Sequence, residues 1–120
     1  MNHGEKKFDS IGVIIARTAG VHGNAQQAME LALDARQKGK DVGIYLVSDG
    51  VWNALKNSGP VSDKLQNLLE SGGLVFASNE HALAGGLPKD RIIEGIVFVD
   101  DAYDNMVDLV MEKWDKVIIC

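Results

Sequence analysis

The stretch DVGIYLVSDG, residues 41–50, indicates the fold class of the protein. Its central run VGIYLV is apolar at consecutive positions, so both faces of a strand formed by this run would be buried. Strands of this kind are typical of a parallel sheet that helices cover on both sides. The run ends at Ser48, and the Asp-Gly pair that follows is a turn signal. We therefore expect a buried parallel strand here, with a polar turn at its carboxyl end.

Four other short apolar runs alternate with helical patterns along the chain. IGVIIA and LVFA predict strands, RIIEGIVFV is expected to contain a strand, and KVIIC predicts a closing core strand. These runs are residues 11–16, 74–77, 91–99 and 116–120. Alternating strands and helices predict an α/β protein with a mainly parallel sheet. Right-handed crossover connections would place helices on both faces of that sheet.

Two internal helices are predicted from apolar residues that recur every three or four positions. The segment 24–39 has Asn24 as a candidate N-cap and Gly39 as a candidate stop. Its predicted core face consists of Ala28, Leu31, Ala32 and Ala35. The segment 61–73 places Val61, Leu65, Leu68 and Leu69 on one face. Shorter helices are expected within 48–60 and within NEHALAGG, residues 79–86.

The last helix shows the clearest helical spacing in the chain. Its predicted core face consists of Tyr103, Met106, Val107, Val110, Met111 and Trp114. The solvent side would carry Asp104, Asp108 and Glu112. This division of apolar and acidic residues is typical of an amphipathic helix that packs on a sheet.

Length, charge and composition exclude several classes of protein. A chain of 120 residues fits one domain, with residues 1–9 as a polar extension. The net charge of −5 argues against direct binding of nucleic acid or of anionic membranes. No apolar run is long enough for a transmembrane helix, and the polar start MNHGEKKFDS lacks a signal core. We therefore expect a cytoplasmic protein.

The cysteine and histidine content gives no indication of a metal or another cofactor. Cys120 is the single cysteine, so an internal disulfide is impossible and no zinc set can be assembled. The three histidines have no short metal-ligand spacing between them. We therefore predict neither a metal nor a cofactor.

The candidate ligand site follows from the predicted sheet, because open parallel sheets bind ligands beyond the carboxyl ends of their strands. The polar residues that follow the predicted strands should share that edge. They include a cation, two possible bases, carboxylates and a hydroxyl. The candidate ligand-binding residues are Arg17, His22, Asp49, Ser78, Asn79 and His81.

Several residues near the predicted strand ends also have a simpler structural interpretation. Ser78 is a good helix N-cap, and Glu80 would complement the helix dipole. Asp100 and Asp101 would cap the last helix, and Trp52 would lie in an interface or cover the sheet end. The chain has no GxGxxG, GxxxxGK[ST] or GxSxG motif, and no Ser-His-Asp set is defined.

In the order of its segments, the chain resembles the DsrE/DsrF/DsrH family, which includes the Tus sulfur-relay subunits. The resemblance rests on the loop TAGVHGN, the helix AQQAMELALDARQKG and the strand DVGIYLVSDGV, followed by SNEHALAGGL and the closing WDKVIIC. It covers roughly residues 10–120. It implies a three-layer α/β/α domain with a five-stranded parallel sheet, and homo- or hetero-oligomers, commonly in trimer-based rings.

The resemblance also implies a role for one position. Sulfur-carrying members hold a persulfide on a cysteine at the start of the helix that follows the strand matching LVFA. That position is Ser78 here, and a serine hydroxyl forms no S–S bond. Cys120 is then the remaining candidate carrier. Its place at a strand end favours this role, but a core strand would immobilise it, and the terminal carboxylate would raise the pKa of its thiol.

Three hypotheses follow from these observations. The first is a non-carrier or partner-binding subunit of a sulfur relay, with relay proteins as its partners. The second is a small-ligand or anion-binding protein, or an enzyme, that uses the strand-end pocket. The third is a structural assembly subunit in which apolar loop residues are buried between copies, namely Val51, Trp52 and Leu87.

Overall fold

The computed structural model of the protein describes residues 9–17 and 24–120. These residues form one five-stranded sheet in the order β4-β3-β2-β1-β5, and every neighbouring pair of strands is parallel. The strands are β1 (Ser10–Ile15), β2 (Asp41–Leu46), β3 (Leu74–Ser78), β4 (Val97–Val99) and β5 (Lys116–Ile119). The predicted parallel α/β fold is therefore confirmed.

Within the described residues, four α-helices connect the strands. They are α1 (Asn24–Gln37), α2 (Pro60–Glu70), α3 (Asn79–Gly85) and α4 (Ala102–Asp108). A π-helical turn, Leu109–Lys113, extends α4, and 3-10 turns occupy Ser48–Ala54 and Lys89–Arg91. Helix α1 begins at Asn24 itself, so this residue is not the N-cap that we predicted. Gly39 follows α1 with a φ of +80°, which agrees with its predicted role as a helix stop.

The strands alternate their side chains between two apolar cores, one on each face of the sheet. Val13 and Ile15 of β1 pack into the core that α1 and α2 cover. Ile14, between them, packs into the core that α4 covers, together with Tyr45 and Trp114. This alternation is the period of two expected for a strand. The protein thus has the three α/β/α layers that the resemblance implied.

Trp114 packs directly on the sheet because two glycines leave room for its ring. Gly12 of β1 and Gly43 of β2 are paired in register. A Cβ atom built on Gly12 would lie 1.9 Å from the Trp114 ring, and one built on Gly43 would lie 2.9 Å from it. Any larger residue at Gly12 would therefore displace the indole. The glycine pair and Trp114 together fix the end of the last helix against the sheet.

Tyr45 fills the same core two residues further along β2 than Gly43. Its ring stacks on Phe76 with 5.5 Å between ring centroids. Its hydroxyl donates a hydrogen bond of 2.9 Å to Oδ1 of Asn105 on α4. Burial raises the pKa of Tyr45 from 10.0 to about 12, so the phenol stays protonated at neutral pH. Tyr45 therefore ties α4 to β2 through both packing and a hydrogen bond.

Two predicted helix faces differ from the observed ones. In α1, Ala28, Ala32 and Ala35 are buried as predicted, but Met29 is buried in place of the exposed Leu31. Helix α1 contacts β1, β2 and α2, and this double contact rotates its buried face toward Met29. In the last helix, Met106, Val110 and Trp114 pack inward as predicted.

The other three residues of that face are exposed, so this part of the prediction was wrong. They are Tyr103, Val107 and Met111. Helix α4 covers its side of the sheet alone, and a single helix contacts a sheet through one narrow strip of its surface. A broad apolar arc therefore extends beyond the contact into solvent.

The segment 91–99 contains a strand, as predicted. β4 occupies its last three residues, because Ile92 pairs with Leu55 in an isolated antiparallel bridge and Gly95 turns the chain with a φ of +99°. β5 is an edge strand that pairs with β1 alone, so the prediction of a core strand was wrong.

Among the described helices, none combines the length and the apolar character that crossing a bilayer requires.

Candidate functional site

The carboxyl ends of the strands meet at one edge of the sheet, as expected for parallel strands. Arg17 follows β1, Ser48 follows β2, Ser78 ends β3 and Asp100 follows β4. Cys120 follows β5 at the same edge. His22 lies outside the described residues, so its predicted place at this edge stays a prediction.

Ser78 is the N-cap of α3, as predicted. Its side chain is 1% exposed, and its Oγ accepts a hydrogen bond of 3.2 Å from the backbone N–H of His81. The residue has an extended backbone, which an N-cap requires at the step from strand to helix. Glu80 lies in the first turn, where a carboxylate complements the helix dipole. The Ser78 hydroxyl therefore stabilises the start of α3.

His81 contacts residues outside its own helix, α3. Its Nδ1 accepts a hydrogen bond of 2.7 Å from the backbone N–H of Ser48. An accepting ring nitrogen carries no proton, so the ring N–H in this contact is on Nε2. The ring also makes an edge contact with Tyr103, with 5.7 Å between ring centroids. His81 therefore joins the end of β2 to α3 and α4, and it offers one N–H donor at Nε2.

The partner of His81 has an unusual backbone conformation. Ser48 has a φ of +50°, in the left-handed region that non-glycine residues adopt at an energetic cost. The bond to His81 holds its amide in place. Strain of this kind at the carboxyl edge is typical of positions whose geometry matters for binding.

Asn79 and Asp100 connect the ends of β3 and β4. Nδ2 of Asn79 donates a hydrogen bond of 2.8 Å to Oδ1 of Asp100. Asp101 takes the N-cap position of α4, but its side chain makes no capping hydrogen bond. The prediction that the aspartate pair caps the last helix is thus right for the position of Asp101 and wrong for a capping contact.

Gly50 and Asn53 hold β1 and β2 together at this edge. A Cβ atom built on Gly50 would lie 2.0 Å from the carbonyl oxygen of Ile15, so only glycine allows this approach. Nδ2 of the buried Asn53 donates to the carbonyl oxygens of Gly50 (3.1 Å) and Arg17 (3.2 Å). No periodic pattern predicts a role for Asn53, and its place shortly after the Asp-Gly pair is the only indication. Asp49, between these contacts, is exposed.

Cys120 is fixed in the sheet. Its backbone N–H donates to the carbonyl of Ile14, and its carbonyl accepts from Ala16, each at 2.9 Å. Burial raises the pKa of its thiol. The pKa of the thiol is raised, as predicted, but the cause is burial and not the terminal carboxylate. β1 and β2 separate β5 from β3, so at about 4.8 Å per strand the thiol lies roughly 14 Å from the strand of Ser78.

The loop residues that the assembly hypothesis named lie in different places. Val51 and Leu87 are buried within their own chain, so they cannot be buried between copies, and that prediction was wrong for both. Trp52 is 37% exposed, and its ring lies beside Gly85. Within residues 9–17 and 24–120, no group of three or more histidine, cysteine, aspartate or glutamate side chains could hold a metal ion.

Comparison with known proteins identifies the family. Residues 23–116 match the family described as DsrH like protein. The chain belongs to this DsrH-like family, which confirms the resemblance drawn from its sequence.

Two archaeal relatives match most of the chain. An uncharacterised protein of Methanopyrus kandleri is 31% identical over 94 residues, which cover 74% of this chain and 78% of the relative. An uncharacterised protein of Methanocaldococcus jannaschii is 31% identical over 109 residues, which cover 79% of this chain and 95% of the relative.

Solved structures share the fold. The ychN protein from E. coli superimposes with a TM-score of 0.78 at 18% identity, covering 93% of this chain and 98% of that one. A protein of unknown function from Methanobacterium thermoautotrophicum gives a TM-score of 0.74 at 18% identity, covering 92% of this chain and 98% of that one. At this level of identity the likeness concerns the fold alone.

Proposed function

We propose that the protein is a non-carrier, partner-binding subunit of a sulfur-relay system. One observation carries this proposal: the position that resembles the family's persulfide cysteine holds Ser78, which is buried and caps α3. The family membership of the chain supports the sulfur-relay context.

The chemistry of sulfur carriage supports the non-carrier role. A carrier needs an accessible thiolate of low pKa, which then forms the S–S bond of a persulfide. Ser78 has no sulfur, and its oxygen accepts the His81 N–H. Cys120 has a thiol, but burial raises its pKa and two backbone hydrogen bonds hold it in the β1–β5 ladder. Neither residue combines the reactivity and the mobility of a carrier.

Exposure to a small-molecule persulfide tests this proposal. The purified chain and its Cys120→Ser variant would be treated with glutathione persulfide, and a thiol acceptor would then be added. Intact-mass spectrometry without reductant would follow added sulfur at both steps. We expect no sulfur that the acceptor can remove from either protein. Rapid loading of the wild type, followed by transfer that Cys120→Ser loses, would contradict the non-carrier role.

A second candidate function, anion or small-ligand binding at the carboxyl edge, is favoured by His81. The Ser48 N–H fixes its tautomer, so Nε2–H is a pre-oriented donor beside Tyr103. Titration with inorganic sulfate, followed by NMR of the labelled histidine side chains, would detect such binding. A His81→Ala variant should lose it. If His81→Ala, His22→Ala and Ser78→Ala all left binding unchanged, this candidate would be wrong.

A further inference from the structure

One face of the molecule concentrates the exposed apolar side chains. Nine large apolar side chains are exposed in the described part of the chain, and six of them lie on the side of the sheet that α4 covers. We call these six residues the α4 face. They are Leu74, Val97, Tyr103, Val107, Met111 and Ile119.

The centre of the α4 face is a continuous stripe along the last helix. Tyr103, Val107 and Met111 are spaced four residues apart, so they follow one another on the helix surface. Their exposed fractions are 54%, 54% and 77%. Met106 and Val110 on the flank of the stripe already pack against the sheet. The side chains of the stripe therefore do not contribute to the core of this chain.

A cavity lies at the amino end of the same face. It has a volume of about 140 Å³, and its lining includes Phe76, Leu109 and Trp114. The exposed Leu74 also lines it, as do the charged side chains of Asp41 and Lys113. A volume of this order accommodates a benzene-sized group. Pockets of this kind receive the anchoring side chains of protein interfaces.

The net charge of the chain is concentrated in this helix and the residues that flank it. The segment 100–115 contains six carboxylates and one lysine, a net charge of −5. The other residues contain eleven acidic and eleven basic side chains, so they contribute no net charge. Asp104, Asp108 and Glu112 each directly follow a residue of the stripe in sequence, so an acidic row runs beside the apolar one.

Two further carboxylates of this segment bind neutral groups that leave their charge in place. Asp100 accepts a hydrogen bond from the Asn79 amide. Asp115 accepts from the backbone N–H groups of Asp9 and Ser10. The negative field along the helix is therefore not compensated by these contacts.

From this pairing of an apolar stripe with an acidic row, we propose that the α4 face docks a partner protein through an apolar patch bordered by lysine or arginine. This inference rests on the partner-binding part of the proposed function and names the surface and the chemistry of the partner. Charge complementarity of this kind speeds association and excludes wrong partners.

A second copy of the chain that meets this surface through a twofold axis is a poorer occupant. In an antiparallel twofold arrangement across the stripe, Asp108 would face its own counterpart, and Asp104 would face Glu112 of the other copy. Like charges placed opposite one another in an interface are costly. The same acidic row repels anionic lipid surfaces.

A synthetic peptide tests the proposal on the full chain. The probe is an amphipathic helix with a leucine row flanked by lysines, and the control peptide replaces each lysine with glutamate. Calorimetry would measure binding at several salt concentrations, and NMR would map the perturbed amides. We expect the lysine peptide alone to bind, more weakly as salt rises, with perturbed amides along α4 and its π-helical turn.

Surface variants locate the binding. The double variant Val107→Ser/Met111→Ser should weaken binding about tenfold or more. The triple variant Asp104→Asn/Asp108→Asn/Glu112→Gln should weaken binding and flatten its salt dependence. Matched controls elsewhere on the surface should bind like the wild type. They are Leu31→Ser/Leu83→Ser for the apolar change and Glu30→Gln/Glu70→Gln for the charge change.

Several outcomes would overturn the proposal. These are no binding at low salt, equal binding of the glutamate peptide, or unchanged binding by both α4 variants. A homo-oligomer that Val107→Ser/Met111→Ser dissociates in sedimentation experiments would instead assign the face to a second copy. The persulfide test is independent, because sulfur carriage on Cys120 would end the non-carrier role without changing peptide binding at α4.

Discussion

On one face of the sheet α1 and α2 bury an almost continuous apolar layer, whereas on the other face α4 alone covers the strands. Val13, Ile44 and Leu65 on the first face are fully buried. On the second face Trp114 and Tyr45 are buried, but Tyr103 and Met111 contact solvent. The first face is sealed within this chain, whereas the second, open face leaves part of its apolar surface in contact with solvent. The two faces therefore differ in how much of their apolar surface the chain itself covers.

The largest effect is expected at Trp114, which is buried on the open face. Trp114→Ala would empty the space above Gly12 and Gly43, and should lower the free energy of unfolding by about 3–5 kcal/mol. Chemical denaturation monitored by far-UV circular dichroism would measure it. A loss below about 1 kcal/mol would show that the indole is not the support of this face.

Two truncations, one on each face, compare how much each face contributes to stability. Leu65→Ala on the sealed face should cost about 2–5 kcal/mol, because it leaves a cavity in a full core. Met111→Ala on the open face should change stability by at most about 0.5 kcal/mol, because its side chain already contacts water. The same denaturation experiment compares them. Equal costs would mean that the open face is closed within the single chain.

A smaller effect is expected at the N-cap of α3. Ser78→Ala removes the acceptor of the His81 N–H and should cost about 1 kcal/mol. Ser58→Ala at an exposed loop position is the matched control and should have no measurable effect. If Ser78→Ala left the free energy of unfolding unchanged, the buried hydroxyl would have no structural role. That result would favour a binding role for it.

The last prediction concerns the pH dependence of stability that Tyr45 confers on the open face. The pKa of Tyr45 is raised by burial from 10.0 to about 12. Unfolding therefore favours the deprotonated phenol, and the stability contribution present below pH 10 should be lost as the pH rises toward 12. Stability measured across this window should fall more steeply for the wild type than for Tyr45→Phe. Identical slopes would show that Tyr45 is not the group responsible.

The sequence predicted most of the strands and the position of the cap, because both depend on local patterns. Apolar runs marked β1, β2 and β3, and an N-cap serine before a short helix is a local rule that holds for Ser78. The exposed side of α4 could not be predicted, because periodicity defines an apolar arc and not which half of it meets the sheet. The number of helices on that face decides this, and it depends on the whole fold.

The long-range contacts of the candidate site could not be predicted from the sequence either. The hydrogen bond between His81 and Ser48 joins residues that lie 33 positions apart. The bonds from Asn53 to the ends of β1 and β2 likewise arise only when the strands align. The carboxyl-edge rule brought the right segments together, but it could not assign the partner of each side chain.

Native mass spectrometry of the protein purified from its own cells without reductant tests the central claim most directly. It reports the assembly and any added sulfur in one experiment. The non-carrier account predicts an unmodified Cys120, in an assembly that holds a second kind of chain. A sulfur atom added at Cys120, and removed by a thiol acceptor, would contradict it.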